Sequence, residues 1–168
     1  MDGAASATVT LTDPAHPPSR RAPLLWAVSA ALGWVMPVLA QLVLWVVYPR
    51  PLWLHVTIAA LTAAVMILHV GVVPVWRYRV HRWEIGPQAV FTRTGWLVQE
   101  RRIAPISRIQ TVDSYRGPLD RLFGLANVTV TTASSAGAVH IVALDSDVAD
   151  GVVAKLTNIA SLGTEDAT

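Results

Sequence analysis

The sequence predicts an α+β membrane protein: a two-helix transmembrane hairpin, then a small β-barrel or sandwich capped by a C-terminal α-helix. Three observations predict it. Two long runs, residues 24–48 and 52–76, contain no Asp, Glu, Lys or Arg. Arginines crowd the outer flank of each run. The remainder alternates short β-prone segments with turn signals and closes on one amphipathic stretch of helical period.

The composition agrees. Apolar residues make up 53% of the 168 and charged residues only 14%, a poor balance for a soluble chain of this size. There is no cysteine, which excludes disulfides and thiolate metal sites. A formal charge of +2 is too small to argue for nucleic acid, and no nucleic-acid partner is expected. The distribution says more. Nine arginines and four acids lie between Arg77 and Arg121, whereas from Ala126 onward Lys155 alone opposes Asp145, Asp147, Asp150, Glu165 and Asp166. The soluble part is therefore polarised, its basic end next to the membrane.

Residues 1–22 are rich in Ala, Thr, Ser and Pro, show no period and read as a disordered tail. Each uncharged run would be about 37 Å long as a helix, enough to cross a hydrocarbon core of roughly 30 Å with some tilt. Tyr48, Pro49, Arg50 and Pro51 between them leave room only for a tight hairpin. A buried hairpin of a soluble domain would have shorter, more amphipathic runs. Trp26, Trp45, Tyr48, Trp53, Trp76 and Tyr78 fall near the run ends, where amphipathic rings prefer the interface. Arg20 and Arg21 precede the first span, Arg77, Arg79 and Arg82 follow the second, and Arg50 alone lies in the turn. Positive flanks stay inside, so the expected location is the plasma membrane, multi-pass, with both termini cytoplasmic. Val38, Leu39 and Ala40 resemble a signal-peptide cleavage site, but the apolar stretch continues past them and the preceding tail is long.

Residues 77–162 form one small domain, and 163–168 a second disordered tail. Strand character runs over 78–85, with Gly86 and Pro87 turning the chain, and continues over 89–93. Thr94-Gly95 reads as a two-residue hairpin turn into a strand over 96–103. Further strands are expected over 108–115, 128–132 and 138–144, six or seven in all. Residues 117–124 make a turn or short helix, and 134–137 a loop. Asp145, Ser146 and Asp147 offer a helix N-cap, after which Val148, Val152, Leu156 and Ile159 make one apolar stripe. Asp147 and Asp150 early and Lys155 late suit the helix dipole. That stripe must be buried, and the open end of a curved sheet is the available place.

Strands followed by one helix, together with Arg108-Ile109-Gln110-Thr111-Val112 and the run from Pro118-Leu119-Asp120-Arg121-Leu122-Phe123-Gly124-Leu125-Ala126 to Val130, resemble the bacterial pleckstrin-homology (YdbS-like) membrane proteins. The resemblance covers residues 24–161. It implies a pleckstrin-homology-like (PH-like) barrel or sandwich behind a short transmembrane hairpin, and a membrane-associated scaffold or envelope-stress accessory, sometimes beside a larger relative. Fold analogy alone does not supply a biochemical role. Within the motif, Gly124 stands between a turn and a strand, where positive φ is often needed. Leu122, Phe123 and Leu125 suit the base of a small barrel. Arg121 is either a ligand-binding cation or a tie to a carbonyl or to Asp120, with the structural role favoured.

Two groups of candidate site residues remain. Arg77, Arg79 and Arg82 could contact an anionic leaflet, each base contributing about 1 kcal/mol; on a strand Arg77 and Arg79 would share a face. The competing reading makes them topology determinants only. Arg101, Arg102 and Arg108 either extend the patch or solvate a strand. Lipid-reading members of the fold cluster bases around the first hairpin turn, but here Glu84, Ile85, Gly86, Pro87 and Gln88 carry none. Inside the spans lie Gln41, His55 and His69, with Ser29 in the first. Symmetry about Arg50 places His69 near Ser29 and predicts a hydrogen bond between them. Ala59, Ala60, Ala63 and Ala64 form small-xxx-small pairs for helix packing.

Nucleotide-binding loops, nucleophile elbows and His-Glu-x-x-His are absent from the sequence. The reading is a non-enzymatic module without cofactor or metal. It engages membrane lipids and, through the domain, other membrane proteins of the same family or copies of itself. The alternative is a binder of anionic headgroups through its basic juxtamembrane face.

Overall fold

The computed structural model describes residues 13–48, 51–95, 98–133 and 137–165. Helix α1 (Ala22–Val47) and helix α2 (Leu52–Ile67) are the two apolar runs. Beyond α2 the chain stays helical through one π turn (Leu68–Val72) and then α3 (Val73–Val80). Both continuous helices, of 26 and 29 residues, are long and apolar enough to cross a membrane. The second is longer than the uncharged run. The π turn sits immediately before Pro74, whose missing N–H and bulky ring disturb the ordinary α ladder, and the widened turn absorbs that disturbance. Tyr78 is consequently helical, not the start of a strand as the residues suggested. The hairpin turn at 49–50 lies outside the described residues.

Among the described residues six strands follow, in two three-stranded antiparallel sheets. The first sheet has the order β1 (Arg82–Ile85), β2 (Ala89–Gly95), β3 (Gln99–Pro105), and the second β4 (Ile109–Tyr115), β5 (Leu125–Thr132), β6 (Val139–Asp145). The expected barrel or sandwich is a sandwich and not a closed barrel. Register runs from Arg82↔Arg93 to Ile85↔Val90 in the first hairpin. Gly95 pairs with Gln99, so Thr94 and Gly95 belong to the ladder, and β3 begins three residues later than the sequence suggested. Trp96 and Leu97 lie outside the described residues. A 3-10 turn (Ile106–Arg108) carries the chain to the second sheet.

Between β4 and β5 lies α4 (Pro118–Phe123), and α5 (Ser146–Glu165) closes the chain. Period-two burial in β5 places Leu125 and then Ala126, Val128 and Val130 inside. With Val90, Ile141, Leu144 and Leu156, the last three of these β5 residues build the main core. The buried stripe of α5 is Ala149, Val152 and Leu156; Val148, expected inside, is 40% exposed. Leu122 is likewise 76% exposed and plugs nothing, whereas Leu125 is fully buried.

Part of the tail expected over residues 1–22 is ordered. Residues 13–21 lie along the domain, and 1–12 are outside the described residues. His16 and Trp83 exchange backbone hydrogen bonds of 3.0 and 2.9 Å at the free edge of β1. Ser19 then donates its N–H to the Ala143 carbonyl, 2.8 Å away on the free edge of β6. This strap thus spans the edge strands of both sheets, where the sandwich would otherwise be open.

Candidate functional site

A second, smaller core joins the domain to the helices. Ala22, Leu25 and Trp26 of α1 pack with Leu125 and Ala143, flanked by Tyr78, Leu119 and Phe123. Leu25 is 8% exposed and Leu125 fully buried, each such burial worth about 2 kcal/mol. The first turns of the first span are therefore part of the domain's interior.

Local chemistry positions each piece. In β6, Val142 and Ala143 both stand opposite Asn127 of β5, a bulge in which Ala143 takes φ +54°. Asn127 holds the bulge: its Oδ1 accepts the Ala143 N–H at 2.9 Å while its Nδ2 donates to Asp120 Oδ2 at 3.0 Å. The same carboxylate oxygen accepts the Gly117 N–H at 2.8 Å and caps α4. The carbonyl of Ala143 receives Ser19, whose hydroxyl donates to Asp145 Oδ1 at 2.8 Å and accepts the Arg21 N–H at 3.2 Å. Gly124 ends α4 in the left-handed region, φ +68° and ψ 33°. This is the backbone state expected of it. Its carbonyl accepts the Ser146 N–H, and Arg21 Nη1 donates to the neighbouring Phe123 carbonyl at 3.3 Å. The motif residues Phe123 and Gly124 therefore dock the start of α1. Arg121 is exposed, and among the described residues its side chain makes no hydrogen bond or ion pair.

The juxtamembrane arginines do not form one face. Arg77 and Arg79 lie on a helix, where two residues are about 200° apart. The guanidinium of Arg77 sits 4.4 Å over the Trp26 ring, and Arg79 is exposed. Arg82 Nη1 donates to the carbonyls of Tyr78 at 2.9 Å and His81 at 2.8 Å, and Arg93 Nε to that of Val80 at 3.0 Å. Two guanidiniums thus satisfy the last carbonyls of α3 at its negative dipole end. Arg93 also pairs with Asp13 of the strap at 2.8 Å, joined by Arg101 at 3.0 Å. Arg102 is engaged as well, with Glu100 and the Ala138 carbonyl.

His81 is 5% exposed, its Nδ1 donating to the Arg77 carbonyl at 2.9 Å and its ring 5.3 Å from Trp26. Burial first, and then the Arg77 charge, push its pKa below the usual histidine range, against the opposing bond to the Arg77 carbonyl.

Within the spans, His69 and Ser29 line one cleft, but the hydrogen bond to His69 comes from Trp34. Trp34 Nε1–H donates to His69 Nδ1 at 3.1 Å, with the rings near-perpendicular at 6.2 Å. An indole N–H can only donate, and away from water the imidazole nitrogen is its natural acceptor. At the far end, Gln41 and His55 line a second cleft, and His55 stacks on Trp45 at 5.7 Å. Of the four alanines, Ala60, Ala63 and Ala64 are exposed and Ala59 partly buried. Among the described residues no group of His, Asp and Glu could hold a metal ion.

Sequence reasoning missed the strap and the role of Trp26. A signal existed in His16-Pro17-Pro18-Ser19, since paired prolines hold the chain extended and ready to lie along a sheet edge.

Two apolar helices set against a six-stranded sandwich with a C-terminal helix define a membrane protein with a PH-like domain. The chain belongs to the bacterial PH domain family, whose match spans residues 22–159. It is similar to the UPF0699 transmembrane protein YdbS of Bacillus subtilis (strain 168), 31% identical over 130 residues, which cover 77% of this chain and 80% of that one. No solved structure matches.

Proposed function

We propose that the chain is a non-catalytic interaction module at the plasma membrane. It presents its PH-like domain in a fixed orientation to protein partners on the cytoplasmic side. The observation that carries this reading is where the bases are used. Arg77 lies on Trp26, Arg82 and Arg93 close the end of α3, and Arg93 and Arg101 hold the strap through Asp13. Most of the basic group therefore works inside the molecule, fixing domain to helices. What the domain leaves outward is strand edge: among the described residues β3 and β4 each pair on one side only. Gln110, Thr111, Asp113, Ser114 and Tyr115 of β4 are exposed, and such an edge accepts an added strand.

A second reading, attraction to anionic headgroups, keeps support from Arg20 and Arg79, both exposed at the domain end of the spans. One experiment separates the two. A photo-crosslinking residue replaces Tyr115 or Arg79 in the full-length chain in native membranes. Discrete protein adducts from position 115, insensitive to the anionic-lipid content of the membrane, are expected. Adducts only to lipid, from position 79 alone, would replace the first reading with the second.

A further inference from the structure

The cleft between α1 and α2 at the end away from the domain has a volume of about 700 Å³, within the range of small-ligand sites. Gln41, Tyr48, His55 and Thr62 give it polar atoms, and Leu44 and Ile58 give it apolar walls. His55 is only 8% exposed, and its buried Nε2 has no hydrogen-bond partner among the described residues. A partnerless nitrogen is costly anywhere and most costly beside hydrocarbon. The stacked Trp45 ring holds the imidazole but offers its face, so it does not satisfy that nitrogen.

Depth identifies the kind of group that would. α1 has 26 residues and is about 39 Å long, so roughly 4–5 Å at each end lies beyond the hydrocarbon core. His55 stands three residues inside the start of α2, about 5 Å along the axis, at the boundary of that core. Tyr48 stands just outside it. Gln41 is seven residues from Tyr48, about 10 Å deeper. Tyr48 is therefore at the headgroup level, His55 at the boundary and Gln41 about 5 Å inside it, within its side chain's reach of the boundary, and Leu44 and Ile58 supply the apolar wall alongside. Imidazole Nε2–H, the Gln41 amide and the Tyr48 hydroxyl can all donate. The phosphate and ester oxygens of a phospholipid only accept, and they sit at and just outside that boundary.

We propose that this cleft is a binding site for one phospholipid of the leaflet away from the domain. His55 Nε2–H and Tyr48 donate to its phosphate, Gln41 donates to an ester carbonyl, and a chain lies against Leu44 and Ile58.

The test uses the full-length chain, extracted in a mild phosphate-free detergent, with retained phospholipid measured by native mass spectrometry. His55→Phe keeps the ring stack on Trp45 and removes the donor; Gln41→Leu removes the amide. Wild type is expected to carry one phospholipid. The double variant should retain at least tenfold less, since losing the one hydrogen bond to the charged phosphate is alone worth about that factor, while its thermal unfolding midpoint stays close to that of wild type. Equal retention by the double variant overturns the proposal, as does wild type carrying detergent alone. Dimers that need His55 and Gln41 would show a second copy filling the cleft, and would overturn it too. If the double variant melts early, the single His55→Phe chain decides by the same two outcomes.

Discussion

Replacing Gly124 probes the joint between motif and membrane helix. At φ +68° and ψ 33° this residue occupies the left-handed region, which costs a residue with a Cβ about 1–2 kcal/mol. An added Cβ would also lie 3.2 Å from Arg21 Nη1. That atom ends a flexible side chain and can move, so the added cost is mainly the 3.3 Å bond from Arg21 to the Phe123 carbonyl. Gly124→Ala should therefore destabilise the fold by about 1–2 kcal/mol, which for a domain of this size lowers the melting temperature on the order of 10 °C. Gly124→Val should cost about 2–3 kcal/mol, because β-branching fits this region worst, and Gly124→Asn under about 1 kcal/mol. Thermal unfolding of the full-length chain in detergent, read by tryptophan fluorescence, gives the order Asn, Ala, Val. Gly151 is the control. It lies inside α5 with nothing within 4 Å of a Cβ, so Gly151→Ala should gain about 0.5–1 kcal/mol. A Gly124→Val chain that melts with wild type would refute the reasoning.

Two further predictions concern charge. Burial makes His81 harder to protonate in the fold, whereas an unfolded histidine titrates near about 6.5. Its contribution is therefore complete above that pH and is lost as pH falls through it, because the unfolded chain then binds the extra proton. Melting between pH 7 and pH 5 should fall more steeply for wild type than for His81→Gln; parallel curves would remove His81 as the cause. A reporter fused after Thr168 should be active in the cytoplasm, since Arg20, Arg21, Arg77 and Arg79 flank the domain end of the spans. Activity on the other side contradicts that orientation.

Much of the fold was legible because it rests on patterns that local chemistry imposes. The absence of ionised side chains marked both membrane helices. Val/Thr alternation marked β5, and Gly124 announced its backbone state by being a glycine between turn and strand. The misreadings share a different cause, namely partners far away in sequence. Tyr78 and Val80 are β-prone in isolation, yet the helix runs on through them after the π turn. The tail looks featureless from residue to residue, but Ser19 meets Ala143 and Asp145, and Asp13 meets Arg93 and Arg101. Val148 has the right spacing for the buried stripe, and the face α5 turns inward is set by Ala149 instead. Of the candidate site residues, His69 was expected to bond Ser29, but its partner is Trp34, because an indole N–H must find an acceptor. The shared role of Phe123, Trp26 and Arg77 at the joint could not be read from spacing, since about fifty residues separate each of the three from the next.

That the strap and the first span belong to the domain is tested most directly by residue-resolved hydrogen exchange on the full-length chain in lipid nanodiscs. The amides of His16, Ser19 and Trp83 bond to carbonyls of Trp83, Ala143 and His16, and should exchange as slowly as amides of the paired strands. If His16 and Ser19 exchange at the rate of an open chain while β5 stays protected, the strap is not part of the fold, and the fixed presentation of the domain fails with it.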